Sequence, residues 1–126
     1  MFEKIYDTLK QEKAVAVIRT KTYEEAKEIS IAAIEGGMKI IEVTMSVPNA
    51  PKLINALKNE YKNACVGAGT VLTKDAVDEC IGNNADFIVS PCIDTEIVSY
   101  AIENKVLIIP DLMTMSELNT VYRDII

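Results

Sequence analysis

The feature that most constrains this chain is the regular alternation of short apolar segments with amphipathic ones. Five segments are apolar almost throughout, which is typical of strands that are buried on both faces of a sheet. They occupy residues 14–19 (AVAVIR), 39–45 (KIIEVTM), 64–71 (ACVGAGTV), 86–90 (DFIVS) and 106–110 (VLIIP). A segment with helical periodicity precedes the first strand, and another follows each strand. The order predicts an opening helix and five βα units, and therefore an α/β fold built on a parallel sheet.

Capping residues predict where the helices begin and end. Thr22 and Glu25 have the spacing of a capping box, and so do Thr114 and Glu117. The pair Gly36-Gly37 is a helix stop signal. The last predicted helix carries one apolar stripe, formed by Leu118, Val121, Tyr122 and Ile125.

Two architectures fit five βα units in 126 residues, which is the length of one domain spanning residues 1–126. An open, doubly wound five-stranded parallel sheet closes comfortably at this length. A (β/α)₈ barrel needs eight units and at least about 200 residues, so the chain would be its first five units preceded by a short helix. Periodicity alone favours the open sheet, and the strand-end motifs favour the partial TIM barrel.

Composition excludes several kinds of function. The formal net charge is −6, which argues against a nucleic-acid partner or an anionic membrane surface, and no apolar run is long enough for a membrane helix. The chain contains no histidine, so triads with a histidine base and histidine-ligated metal sites are excluded. The three cysteines form no C-x-x-C pair, which predicts reduced, buried thiols in a cytoplasmic protein.

Glu42 is the most informative polar residue, because it is a carboxylate within a strand expected to be buried on both faces. An unpaired buried carboxylate costs several kcal/mol or has a raised pKa. Glu42 is therefore either a general acid/base or the partner of Arg19, which ends the adjacent strand. Arg19 is suited to bidentate recognition of a carboxylate or phosphate, and the same ion pair is its structural alternative.

Other strand ends carry weaker signals, at the edge where ligands of parallel α/β folds bind. Ser46 follows the second strand. Residues 67–70 (GAGT) end the third; the glycines would let a ligand approach the backbone, although tight packing explains them equally well. Ser90-Pro91 and Pro110 are most simply strand terminators.

Taken together, AVAVIR, GGMKIIEVTMSVPNA, VGAGTVLT, ADFIVSP and VLIIPDLMTMSEL resemble the 2-keto-3-deoxy-6-phosphogluconate / 4-hydroxy-2-oxoglutarate aldolases in order and spacing. The resemblance spans about residues 14–118 and is specific because five consecutive strand ends match. It implies a (β/α)₈ barrel, usually trimeric, and a class I aldolase that needs no metal or other cofactor. Such an aldolase cleaves a 2-keto-4-hydroxy acid to pyruvate and an aldehyde through a lysine Schiff base.

The resemblance also implies roles for single residues. Glu42 would be the proton-transfer carboxylate, and Thr70 would bind the carboxylate of the keto acid with help from the GAG backbone. Arg19 would contact the anionic groups of the substrate, and Pro91 would line the pyruvate pocket. Ser46 occupies a position that is an arginine in many members, so its substrate contact is the least defined.

The family places its Schiff-base lysine on strand six, and the sequence in hand ends at Ile126, before any such motif. We therefore expect the chain to be inactive alone, since Lys21 and Lys74 lie near helix starts where side chains are solvated. Asp111 and Met115 also depart from the family pattern. The alternative function is a non-catalytic module that oligomerises or pairs with a complementing barrel half, because its sheet edges would be open.

Overall fold

A computed structural model describes residues 2–124, which form six helices and five strands in the predicted order. The helices are α1 (Phe2–Glu12), α2 (Tyr23–Glu35), α3 (Ala50–Glu60), α4 (Lys74–Gly82), α5 (Thr95–Glu103) and α6 (Met115–Asp124). The strands are β1 (Ala16–Ile18), β2 (Ile40–Thr44), β3 (Cys65–Gly69), β4 (Phe87–Ser90) and β5 (Leu107–Pro110). Within residues 2–124, no helix has the length and apolar character required to cross a bilayer.

The strands form one open sheet in which each strand lies beside the next strand of the chain, in the order β1-β2-β3-β4-β5. All four pairings are parallel. A doubly wound sheet reverses its strand order partway across, whereas a (β/α)₈ barrel keeps consecutive strands adjacent throughout. The sheet is thus open, and its winding is that of the predicted partial barrel.

One face of the sheet, here called the outer face, packs against helices α2 to α5. Alternate strand residues point to this side, and they form a continuous core with the helices. The strand residues are Ile18, Ile41, Val43, Val66, Ala68 and Ile88, and the fully buried helix residues among them include Ala26, Leu53, Ile54, Val77 and Ala101. This layer explains why each strand is apolar on that side.

The opposite, inner face is covered only at its amino-terminal end. Ile5 and Leu9 of α1 pack against a small cluster of Ile40, Cys65 and Phe87. Since α1 packs against the start of the strands, it does not cover their carboxyl ends on this face.

The two edge strands are less buried than the sequence indicates. Strand β1 is only three residues long, and Val17 on its inner face is 56% exposed. On β5, Ile109 is 38% exposed. The expectation that segments 14–19 and 106–110 are buried on both faces is wrong, because the inner-face cluster under α1 is formed by Ile40, Cys65 and Phe87 of the three central strands.

The predicted caps are confirmed. Thr22 Oγ1 accepts a hydrogen bond from the Glu25 N–H at 3.2 Å, and Gly36 caps the carboxyl end of α2. At α6, Thr114 Oγ1 accepts from the Glu117 N–H at 3.2 Å and donates to the Glu117 carboxylate at 2.9 Å.

The apolar stripe of α6 is only partly buried. Val121 packs inward, but Leu118 is 44% exposed and Tyr122 is 72% exposed. The fourth predicted member, Ile125, lies outside the described residues. Helical periodicity identified the stripe correctly, but a periodicity does not say which surface will cover it.

Candidate active site

The predicted site residues all lie at the carboxyl end of the sheet. Arg19 directly follows β1, Glu42 lies within β2, Ser46 lies two residues beyond β2, Thr70 directly follows β3, and Pro91 directly follows β4. Because the strands are parallel and consecutive, these positions form a row across four neighbouring strands. Topology therefore brings Arg19, Ser46, Thr70 and Pro91 to one end of the sheet, and Glu42 lies two residues before the end of β2.

Glu42 lies against the backbone of the neighbouring strand β3. A Cβ atom placed on Gly69 would collide with Glu42 Oε1, and it would lie 2.8 Å from Cδ and 3.1 Å from Cγ. The contacts with Oε1 and Cδ are shorter than real Cβ contacts, and the contact with Cγ is tighter than most of them. The carboxylate thus occupies the space that a side chain at position 69 would need.

Burial raises the pKa of the Glu42 carboxyl above its ordinary value, because the charged form loses hydration against the sheet. The positive charge of Arg19 acts in the opposite direction and lowers that pKa, but it is the weaker effect. No contact within 4.0 Å joins the Arg19 guanidinium to the Glu42 carboxylate in the described chain, and Arg19 is exposed. The arrangement is a half-buried carboxylate with a nearby cation rather than a closed ion pair.

The hydroxyl groups that follow Glu42 on β2 form a pair. Thr44 is fully buried, and its Oγ1 lies 3.0 Å from the Oγ of Ser46, which is exposed. The Met45 N–H donates to the Gly69 carbonyl at 2.8 Å, which ties the end of β2 to the end of β3. Ser46 is therefore held at the open edge with its hydroxyl linked to the sheet.

Thr70 has a backbone conformation that is uncommon for its residue type. Its φ is 60°, in the left-handed region, where a β-branched residue is a genuine outlier. The turn directs the next N–H, of Val71, to the carbonyl of Val89 at 3.1 Å and so links β3 to β4. A strained residue at a strand end is typical of functional sites, and Thr70 is also half-buried.

Pro91 is exposed and follows a structured turn. The buried Ser90 hydroxyl donates to the carbonyl of Cys92 at 3.0 Å, and the Asp111 N–H donates to the Ser90 carbonyl at 2.8 Å. These bonds support the interpretation of Ser90-Pro91 as a strand terminator, and they leave the proline ring at the open edge.

The two lysines considered as substitute nucleophiles are both in contact with solvent. Lys21 is exposed, and the Lys74 side chain is half exposed. Lys74 Nζ lies 3.4 Å from a carboxylate oxygen of Glu96 and 5.7 Å from the centre of the Tyr100 ring. Neither has the apolar surroundings that make a lysine amine neutral and nucleophilic.

A cavity of about 600 Å³ lies at the other end of the sheet and is not this site. It is lined by the carboxyl-terminal ends of α3, α4 and α5, including Lys58, Lys62, Asn84 and Lys105. Helix carboxyl ends carry partial negative charge, so these lysines complement the dipoles of the helices themselves. Within residues 2–124, no cluster of three His, Cys, Asp or Glu side chains is placed to hold a metal ion.

Sequence reasoning singled out the GAGT turn but did not find the contact between Gly69 and Glu42. The contact depends on the register of β2 against β3, in which Glu42 lies opposite Gly67 and Thr44 lies opposite Gly69. The only signal in the sequence was that a strand with two glycines follows a strand with a carboxylate.

The chain was compared with known protein families, curated proteins and solved structures, and it matches one family. The family profile described as "KDPG and KHG aldolase" matches residues 5–123. The KHG/KDPG aldolase of Escherichia coli K12 is 36% identical over 104 residues, which are 82% of this chain and 49% of that protein. The chain spans about half the length of the curated relatives it matches.

Solved structures agree with the sequence match. A 2-keto-3-deoxy-6-phosphogluconate aldolase of Zymomonas mobilis ZM4, solved with 3-phosphoglycerate, superimposes with a TM-score of 0.86 at 26% identity, over 97% of this chain and 58% of that one. A KDPG aldolase of Legionella pneumophila, holding pyruvate as a covalent carbinolamine, gives 0.76 at 30% identity, over 83% and 51%. The five βα units therefore have the fold of the matching part of these aldolases. On the profile match and these identities, the chain belongs to the KDPG and KHG aldolase family.

Proposed function

We propose that this chain supplies the proton-transfer and keto-acid-binding part of a class I aldolase site that acts on 2-keto-4-hydroxy acids. Glu42 moves protons between the substrate hydroxyl, the covalent intermediate and the pyruvate product. Thr70 and the strand-end backbone bind the carboxylate of the keto acid, and Arg19 attracts the anionic groups. Ser46 and Pro91 line the same pocket.

The observation that carries this proposal is the environment of Glu42. Burial raises the pKa of the Glu42 carboxyl, so this carboxyl holds a proton more readily than an exposed glutamate does, which suits a group that must both take and give a proton. It lies on the same edge as the hydroxyls of Ser46 and Thr70. The carbinolamine in the Legionella pneumophila structure supports covalent chemistry of the same kind for the complete site.

The 126-residue chain alone would bind the keto acid without forming the covalent intermediate. Lys21 and Lys74 are solvated, and Lys74 is paired with Glu96, so neither is a suitable nucleophile. Incubation with pyruvate and sodium borohydride, followed by intact mass measurement, should give no adduct. The Escherichia coli relative, treated in parallel, provides the positive control, and an adduct on this chain at Lys21 or Lys74 would overturn the statement.

A chimera tests the catalytic role directly. Residues 1–126 would replace the matching half of the Escherichia coli KHG/KDPG aldolase, and pyruvate release from 4-hydroxy-2-oxoglutarate would be measured. We expect an active chimera, and Glu42→Gln should lower its kcat about 10²- to 10⁴-fold, the usual contribution of a general acid/base. A folded chimera with full activity after Glu42→Gln would contradict the proposal.

A second candidate function is that of a non-catalytic module. Such a module would form an oligomer with copies of itself, as the usually trimeric family would imply, or it would pair with a complementing barrel half. It is favoured by Val17 and Ile109, which expose apolar surface on the inner face of the two edge strands. Light scattering distinguishes the states: an oligomer supports association, whereas a monomer of 13.9 kDa counts against it.

The thiols support the proposal that the protein works in the cytoplasm. Burial raises the pKa of Cys65 and of Cys80 to about 12, so both stay protonated and unreactive. The prediction of buried thiols is wrong for Cys92, which is exposed because it lies in the turn after β4; a free, exposed thiol suits a reducing compartment. Thiol titration with and without denaturant should detect one accessible cysteine in the folded chain and three after unfolding.

A further inference from the structure

Glu42 lies so close to Gly69 that any side chain at position 69 would have to displace its carboxylate. In the parallel pairing of β2 with β3, Thr44 lies opposite Gly69, and the Glu42 side chain reaches along its strand toward that level. An added Cβ at position 69 would overlap the carboxylate oxygen and crowd Cδ at 2.8 Å. The closest of these contacts involve the carboxylate end of the side chain, and the contact with Cγ is longer.

Backbone conformation does not explain this glycine. Among the described glycines, Gly37 has a positive φ, of 107°, whereas Gly69 lies in regular strand geometry. Alanine can adopt that geometry without strain. The requirement for glycine at position 69 is therefore a requirement for space.

We infer that Gly69 is the positioning residue for Glu42: its missing side chain forms the seat of the carboxylate, and a methyl group there moves the carboxylate off β3 into solvent. The inference deepens the proposed function, because it concerns the group proposed to transfer protons. The geometry itself does not depend on that function.

Moving the carboxylate would change its surroundings in a defined way. On β3 the carboxylate has backbone on one side, and the charged group that acts on it is Arg19, beyond β1. Strand β3 adds Cys65, a neutral thiol with a pKa of about 12, near its start. A displaced carboxylate regains water while Arg19 still attracts it, so its proton affinity falls.

The test is a pH titration of the Glu42 carboxyl carbon by NMR in the full chain labelled with ¹³C-carboxyl glutamate, with Glu42→Gln to assign the signal. Gly69→Ala should shift the Glu42 pKa downward from its wild-type value. Gly67→Ala is the matched control on the same strand, because the three atoms nearest to its Cβ all belong to the Phe87 ring, the closest at 2.5 Å. Gly82→Ala, with open space around it, controls for labelling and handling. An unchanged Glu42 pKa in folded Gly69→Ala overturns the inference.

A double variant keeps the inference testable if Gly69→Ala folds poorly. Removing the carboxylate with Glu42→Ala should relieve the overlap, so the loss of stability caused by Gly69→Ala should shrink in that background. An equal loss in both backgrounds would contradict the inference. No substrate enters either measurement, so failure to bind pyruvate would reject the proposed function while the titration still decides the role of Gly69.

Discussion

The inner face of the sheet has two halves that are formed by the same strands but differ in composition, one apolar and one polar. Its lower half, at the start of the strands, consists of Ile40, Cys65 and Phe87, sealed by Ile5 and Leu9 of α1. Its upper half, at the carboxyl ends, carries Glu42, Thr44, Gly69 and Thr70, and no helix of the described chain closes it. The lower half is a packed apolar cluster, and the upper half is a polar edge that no helix of the described chain covers.

Strand β3 shows how the difference is made. Gly67 leaves room for the Phe87 ring in the lower half, and Gly69, two residues further along the same face, leaves room for the Glu42 carboxylate in the upper half. A glycine thus makes room for a packed aromatic ring in the lower half and for a titratable carboxylate in the upper half. The lower half should therefore determine stability, and the upper half should determine chemistry.

The largest effect on stability is expected from Phe87→Ala in the lower half. Phe87 is fully buried, so the change removes apolar contacts and leaves a cavity, which should cost about 3–5 kcal/mol. Urea denaturation followed by circular dichroism measures it. A loss below about 1 kcal/mol would mean that the lower half is not a packed apolar cluster.

Asp86 at the lower rim should have the next largest effect. Its carboxylate accepts a hydrogen bond from the Val66 N–H at 2.8 Å and two from Lys58 Nζ at 2.7 and 2.9 Å. Asp86→Ala leaves a buried N–H without an acceptor and should cost about 1–3 kcal/mol. Asp86→Asn, which can still accept from Val66, should cost less; an equal loss would show that the N–H bond contributes nothing.

Ser46→Ala tests the upper half with a smaller expected cost. The change removes the hydrogen-bond partner of the buried Thr44 hydroxyl, which should destabilise the chain by about 0.5–1.5 kcal/mol. Thr44→Val together with Ser46→Ala removes both hydroxyls and should recover part of that loss. Thermal unfolding of the two variants provides the comparison, and a double variant less stable than the single one would contradict the pairing.

Glu42→Gln should have the smallest effect on stability. Unlike the three preceding changes, it should stabilise the chain at neutral pH. Folding raises the pKa of Glu42, so the folded chain binds more protons than the unfolded chain between the two pKa values. Stability therefore falls as pH rises through that interval, and the glutamine variant avoids this loss. The variant should match wild type in acid and exceed it above the interval, as measured by urea denaturation across pH. The exposed Glu28→Gln serves as control; a wild type that gains stability over the interval relative to Glu42→Gln would show that the shift has the other sign.

Much of this arrangement could be predicted from the sequence because it is encoded locally. Strand and helix positions followed from periodicity and from capping pairs such as Thr22 with Glu25. Periodicity could not predict the strand order, because an open doubly wound sheet and a partial barrel have the same local pattern. The strand-end motifs that resemble the aldolase family predicted the partial barrel, and the structure confirms it. The contact of Glu42 with Gly69 could not be predicted either, since it depends on the register of β2 against β3. The exposure of Val17 could not be predicted either, because it depends on which neighbours cover an edge strand.

Mapping pyruvate binding on the 126-residue chain by amide NMR tests the central claim, that the upper half of the inner face is the keto-acid site. Addition of pyruvate should shift the amide signals of Met45, Gly69 and Thr70 and leave those of Ile40 and Phe87 unchanged. Thr70→Val, which keeps the branched shape and removes the hydroxyl, should weaken the response. Shifts confined to the lower half or to the lysine-lined cavity, or no shifts at all, would contradict the account.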